Sequence, residues 1–172
     1  SGNVDDITIS AGSTTGTVNF TPTDDSIYEG NETAIISIGS VSGGGASESG
    51  TQSVTITITE NESAPTVALS VSATSIAENS GSSLTITATL SGKADEDVTV
   101  NLGSAGTSTN GTDYGSLTSI TVSAGATTGT ASFTPTDDTI YEGNETAVIS
   151  ISSVSGADAT ESGSQSVTIT IV

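Results

Sequence analysis

One block of this sequence occurs twice. ITISAGSTTGTVNFTPTDDSIYEGNETAIISI starts at Ile7, and ITVSAGATTGTASFTPTDDTIYEGNETAVISI starts at Ile120. The correspondence runs without a gap from Ile7–Ile58 to Ile120–Ile171, with 41 identities in 52 positions at an offset of 113 residues. Such a period is too long for a solenoid turn and matches a whole small domain. The copies are unequal, because Pro65–Ser119 precedes the second block and only Ser1–Asp6 precedes the first. We therefore expect residues 1–62 to be the C-terminal half of one repeat, cut from a longer array. Residues 63–65 form a short joint and residues 66–172 a complete repeat. Pro65 predicts a stiff, extended exit from the joint.

The pattern inside the second copy is all β. Val67, Leu69 and Val71 alternate with small or hydroxyl residues, as do Leu84, Ile86, Ala88 and Leu90, and then Val98, Val100 and Leu102. The sets Ile120 and Val122, Ala131 and Phe133, Ala147 to Ile151, and Val167 to Ile171 continue at period two. Seven such strands, with Gly, Asn, Asp and Ser between them, predict a seven-stranded antiparallel immunoglobulin-like β-sandwich in tandem. The 31 Ser and 32 Thr residues suit its outer faces, Thr being both β-branched and polar. The first copy should hold the last four strands, Ile7–Ile9, Thr17–Phe20, Ala34–Ile38 and Val54–Ile58.

Charge excludes several functions. Twenty acidic residues face one basic residue, Lys93, for a formal net charge of −19. Nucleic acid binding and attachment to anionic lipid both need clustered Lys and Arg, so neither is expected. With no His and no Cys, nucleophilic catalysis and zinc, haem or iron–sulfur binding lack their usual groups. No apolar run approaches the ~18 residues of a membrane span, so no direct membrane insertion is expected. A glycosidase built on two carboxylates also fits poorly, because the acids are crowded and no Trp offers a sugar platform. The chain reads as not an enzyme.

The acids cluster instead. Asp24, Asp25, Glu29 and Glu32 fall in TDDSIYEGNE, and Asp137, Asp138, Glu142 and Glu145 repeat the spacing in TDDTIYEGNE. Each set lies on a loop between two predicted strands, where like charges repel and raise pKa values. A hard divalent cation removes that cost, and calcium takes six to eight oxygen ligands. The plain alternative is a solvated acidic loop. Taken alone, Glu78 and Asp113 are ordinary surface acids, and Glu60 and Glu62 are equally readable as solubilising charge in the joint. Asp95, Glu96 and Asp97 read as solvated turn acids, and the doublet Asp5–Asp6 is left unassigned.

In this order, SIAENSG, GTDYG, ITVSAG, FTPTDDTIYEGNETAVISI and SVTITI resemble the Calx-beta domain. The resemblance implies a seven-stranded immunoglobulin-like sandwich that binds calcium in loops at one end, near the joint to the next domain. It implies ligands at Glu78, Asp113, Asp137, Asp138, Glu142 and Glu145 in the second copy, with the Ile140 carbonyl beside them. In the first copy it implies Asp24, Asp25, Glu29 and Glu32 with Ile27, closed by Glu60 and Glu62 after the last strand. The first copy lacks its ENxG and DY segments and the second lacks a closing acidic run, so both sites should be weaker here than in a longer chain.

The functional expectation is a calcium-binding structural spacer repeat, made rigid by calcium at the joints. Its setting would be a large extracellular or cell-surface protein, an adhesin or filament, with neighbouring repeats of the same chain as partners. Near-identity between copies favours interchangeable modules. The alternative is a regulatory calcium sensor of a membrane transporter such as a sodium/calcium exchanger, for which diverged copies would be expected.

Overall fold

The strand order follows the hydrophobic alternation. In the computed structural model, which describes residues 4–172, the strands run β1 (Ile27–Tyr28), β2 (Glu32–Ser37), β3 (Ser53–Ile58), β4 (Thr66–Val71), β5 (Ser75–Ile76), β6 (Leu84–Leu90) and β7 (Lys93–Ala94). They continue as β8 (Val98–Gly106), β9 (Ser119–Val122), β10 (Thr128–Phe133), β11 (Glu145–Ser155), β12 (Thr160–Glu161) and β13 (Ser166–Ile171). The one helical element among the described residues is a 3-10 turn at Glu78–Ser80. Two units separate by internal contacts. One takes residues up to Ser26 with Asn31–Ile58, and the other takes Ile27–Gly30 with Thr59–Val172.

The larger unit is a sandwich of two sheets, ordered β10-β6-β4-β12 and β5-β13-β11-β8-β9. All seven strands expected for the second copy are present, and the short β5, β7 and β12 add to them. The residues at alternate positions fill the space between the sheets. Val67, Ile86, Ala88, Val98, Val100, Val122, Phe133, Ile149 and Ile169 are fully buried. The rings of Tyr114 and Phe133 stack at the loop end of this core, with centroids 4.6 Å apart and an interplanar angle of 27°.

Most pairings are antiparallel, but β13 runs parallel to β5, with Thr170 opposite Ser75 and Ile171 opposite Ile76. The N–H of Thr170 donates to the Thr74 carbonyl at 2.9 Å and that of Val172 to the Ile76 carbonyl at 3.0 Å. The Glu78 N–H then donates to the Val172 carbonyl, also at 3.0 Å. The segment just after β4 is thereby fastened to the last strand.

In the smaller unit β2 and β3 pair antiparallel, with Glu32 opposite Ile58 and Ser37 opposite Ser53. The strands expected at Ile7–Ile9 and Thr17–Phe20 do not form, and this corrects the sequence reading. The reason lies in their counterparts. β9 ladders onto β8 and β10 onto β6, both supplied by the Pro65–Ser119 region, which residues 4–6 do not duplicate. Alternation selects a face, but a strand also needs a neighbour to exchange hydrogen bonds with. Ile7 and Ile9 are accordingly 55% and 57% exposed, whereas the matching Ile120 and Val122 are buried. The backbone course is nevertheless shared: a Cβ on Gly16 would lie 2.6 Å from the Thr8 carbonyl oxygen, and one on Gly129 would lie 2.3 Å from that of Thr121.

Candidate metal centre

The site of the second copy forms where three loops meet at one end of the larger sandwich. Asp113 sits in a tight turn in which the Thr112 and Asp113 N–H groups donate to the Thr109 carbonyl and the Gly111 N–H donates to that of Tyr114. The Asp113 Oδ2 accepts from the Thr109 N–H at 2.6 Å, and its own N–H donates to the Thr109 carbonyl at 3.0 Å. Asn110 fixes the far side of the turn, since its Nδ2 donates to the Leu117 carbonyl and its Oδ1 accepts from the Leu117 N–H, both at 2.9 Å. Next to Asp113, the buried Tyr114 ring is stacked on Phe133, so the core itself aims the carboxylate. The Thr136 N–H donates to the Asp113 carbonyl, tying this turn to the acidic loop after β10.

Glu145 begins β11 opposite Ile171, and Glu142 precedes it on the loop. One carboxylate oxygen from each of Asp113, Glu142 and Glu145 lies within 4.8 Å of the other two. Burial raises the pKa of Glu142, and the charges of Asp113, Asp138 and Glu78 raise it further. Glu145 is raised by the same causes, burial first, then Asp113, Glu142, a hydrogen bond with Asp113, and Glu78. Five of the expected acids therefore share one electrostatic neighbourhood. Glu78 opens the 3-10 turn, and Asp138 also accepts the Ile140 N–H at 2.6 Å. Asp137 lies exposed on the same loop, outside the three-carboxylate group. An all-oxygen, like-charged donor set of this kind suits a hard cation such as calcium and offers nothing to a soft one.

The acids of the first copy are placed differently. Asp24 and Asp25 are exposed and precede β1, and Glu32 is the first residue of β2. Glu60 acts as a clasp on backbone. Its Oε2 accepts from the N–H groups of Glu29 at 2.5 Å and Gly30 at 2.7 Å, and its Oε1 accepts from those of Asn61 and Glu62, both at 2.9 Å. These donors, led by the Glu62 and Glu29 N–H groups, pull the Glu60 pKa down from 4.5 to about 2. A carboxylate has about four lone-pair sites, and four N–H groups point at this one. Glu62 is half-buried beside it.

Two acids read from sequence as solvated turn residues hold structure instead. Asp97 Oδ1 accepts the Ala124 N–H, and Glu96 Oε1 accepts the Ala157 N–H, both at 2.8 Å. Asp158, unremarked in the sequence, accepts the Tyr28 hydroxyl at 2.8 Å. The one signal for it was the replacement of Gly44 and Gly45 in the first copy by Ala157 and Asp158 in the second.

A family model of the Calx-beta domain matches residues 2–62 and again residues 60–172. The chain belongs to the Calx-beta family. The fold agrees: the apo form of the Calx CBD1 domain matches with a TM-score of 0.50 at 17% identity, covering 62% of this chain and 96% of that one. CBD12 from CALX1.2 is also similar, with a TM-score of 0.47 at 19% identity, covering 57% of this chain and 40% of that one. No curated protein matches the chain. The strand-end loops of this Calx-beta repeat carry its acidic cluster, and the tandem matches agree with the duplicated block.

Proposed function

We propose that this tandem Calx-beta pair is a calcium-binding, non-catalytic spacer of a large extracellular surface protein. The observation that carries the calcium reading is the three-carboxylate group of Asp113, Glu142 and Glu145, whose oxygens lie within 4.8 Å of one another. Among the described residues no ion pair relieves this charge, and Lys93 is the chain's one basic side chain. Asp113, Glu142 and Glu145 would hold the ion, with Glu78 and Asp138 near enough to add charge. A bound divalent cation would offset their repulsion, and because it favours the folded loops it would stabilise the unit by RT ln(1 + [L]/Kd). The spacer reading rests on the near-identity of the two copies, on the short joint, and on an acidity that keeps a long array soluble.

The test is thermal unfolding in excess chelator, in millimolar calcium, and in magnesium. A calcium-specific rise in Tm is expected, with a midpoint near millimolar. A sub-micromolar midpoint would favour the regulatory sensor of a transporter. No shift, together with no heat of binding in calorimetry, would leave the acids as solvated loops and sink the calcium reading.

A further inference from the structure

The duplicated loop contains the dipeptide Ile-Tyr in both copies, and the two dipeptides have opposite fates. Ile27–Tyr28 is strand β1 of the larger unit and pairs in parallel with β7, Ile27 opposite Lys93 and Tyr28 opposite Ala94. The Asp95 N–H donates to the Tyr28 carbonyl at 3.1 Å, the Tyr28 ring packs against the core, and its hydroxyl donates to Asp158. Ile140–Tyr141 occupies the same place in the second copy and does none of this: Ile140 is 66% exposed and Tyr141 is 96% exposed. An aromatic ring held in water forgoes the largest apolar burial a side chain can contribute.

The receiving surface is unusual in its own right. Ala157 and Asp158 both adopt left-handed backbone, with φ of 52° and 49°, where the first copy has glycines. Side chains are penalised in that region and persist there when their surroundings hold them, often at functional positions. Here Glu96 accepts the Ala157 N–H and Tyr28 donates to Asp158. The neighbouring Gly156 has φ of 95°, and a Cβ on it would lie 2.2 Å from the Asp97 carbonyl oxygen.

We propose that Ile140–Tyr141 is a docking strand for a further repeat, seating on that repeat's equivalents of Lys93–Ala94 and Asp158. One module then carries a filled socket and an exposed plug. Such a head-to-tail contact can repeat from each module to the next along the chain. The partner is a Calx-beta repeat of this chain's own type, with an acid at the Asp158 position. A repeat with glycine there, as at Gly45, would dock without the hydroxyl–carboxylate bond. This inference rests on the tandem-array reading, and not on the metal.

The experiment is tyrosine nitration by tetranitromethane, read by peptide mass spectrometry, on this chain and on one lengthened by a second Thr59–Val172 segment after Ile171. Both chains are run in chelator and in calcium. In the original chain Tyr141 should react fastest, Tyr28 slowly, and the fully buried Tyr114 not at all, which also reports that the sandwich is folded. In the lengthened chain Tyr141 should lose its fast reaction and match Tyr28. Asp158→Asn in the added segment should restore part of its rate, and the same change in the original chain should speed nitration of Tyr28. Protection of Tyr141 under either condition supports the docking strand. Tyr141 reacting equally fast in both chains under both conditions, with Tyr114 still unreactive, overturns it. A failure of the calcium reading would appear separately, as the missing Tm shift.

Discussion

Phe133→Leu tests whether the core aims the metal loop. Phe133 is fully buried and its ring stacks on Tyr114, the residue next to Asp113. Leucine preserves most of the apolar contact but removes the aromatic partner and leaves a small void. The stack is worth about 0.5–1.5 kcal/mol beyond burial. The void adds about 1 kcal/mol by the cost of deleted core methylenes. A total of about 2 kcal/mol should lower the Tm of the larger unit by roughly 6–10 °C, since 1 kcal/mol moves a domain near this size by about 3–5 °C. A second effect should appear only in calcium titrations. With Tyr114 free to tilt, Asp113 loses its fixed direction, and the calcium midpoint should move upward. Ile151→Val is the control, costing about 0.5–1.5 kcal/mol in the same core but six residues along β11 from Glu145, with the midpoint unchanged. Calorimetry at several calcium concentrations measures both quantities. If Phe133→Leu loses its stability and keeps the wild-type midpoint, the claim that the aromatic stack positions Asp113 is refuted.

Three other outcomes follow from the hydrogen bonds and charges. Asn110→Ala removes both bonds to Leu117 and should cost about 1–3 kcal/mol with a weaker calcium response, seen by thermal melts with and without the ion. Glu60, lowered to about 2 in the fold, contributes stability that is present above 4.5 and lost as pH falls toward 2; acid unfolding of Glu60→Gln should lack that component. Glu142 and Glu145 are raised, so in chelator the fold takes up their protons more readily than the unfolded chain does. Stability should therefore fall as pH rises from the ordinary carboxylate range, and calcium should flatten that slope in Tm measured against pH.

Much of this was legible from the residues. Alternation placed Val67, Ile86, Val100, Ile149 and Ile169 in the core, because a strand has only two faces. Gathering Asp113 with Glu142 and Glu145 needed the family resemblance, since 29 positions separate Asp113 from Glu142 in the sequence. What stayed hidden were pairings set by tertiary approach. Nothing local marks Glu60 as an acceptor for the Glu29 and Gly30 N–H groups, or Glu96 for that of Ala157. Ile7–Ile9 erred the other way: its pattern is that of β9, but no β8 equivalent lies alongside it. Pattern reports which face a residue prefers, and only the neighbouring strand decides whether a ladder forms.

The parallel fastening of β13 to β5 has a mechanical meaning. The longer passage of the chain through the larger sandwich begins at Thr59, ahead of β4, and ends with β13, so a pull applied between Thr59 and Ile171 draws β5 and β13 in opposite directions along their length. Their bonds, Thr170 to Thr74 and Val172 to Ile76, lie across that direction and are loaded together in shear, with Glu78 to Val172 as a third. A hairpin peeled from its open end gives up one bond at a time, whereas this arrangement must break several at once. Stretched between those two points, the sandwich should therefore yield in one abrupt step and not bond by bond.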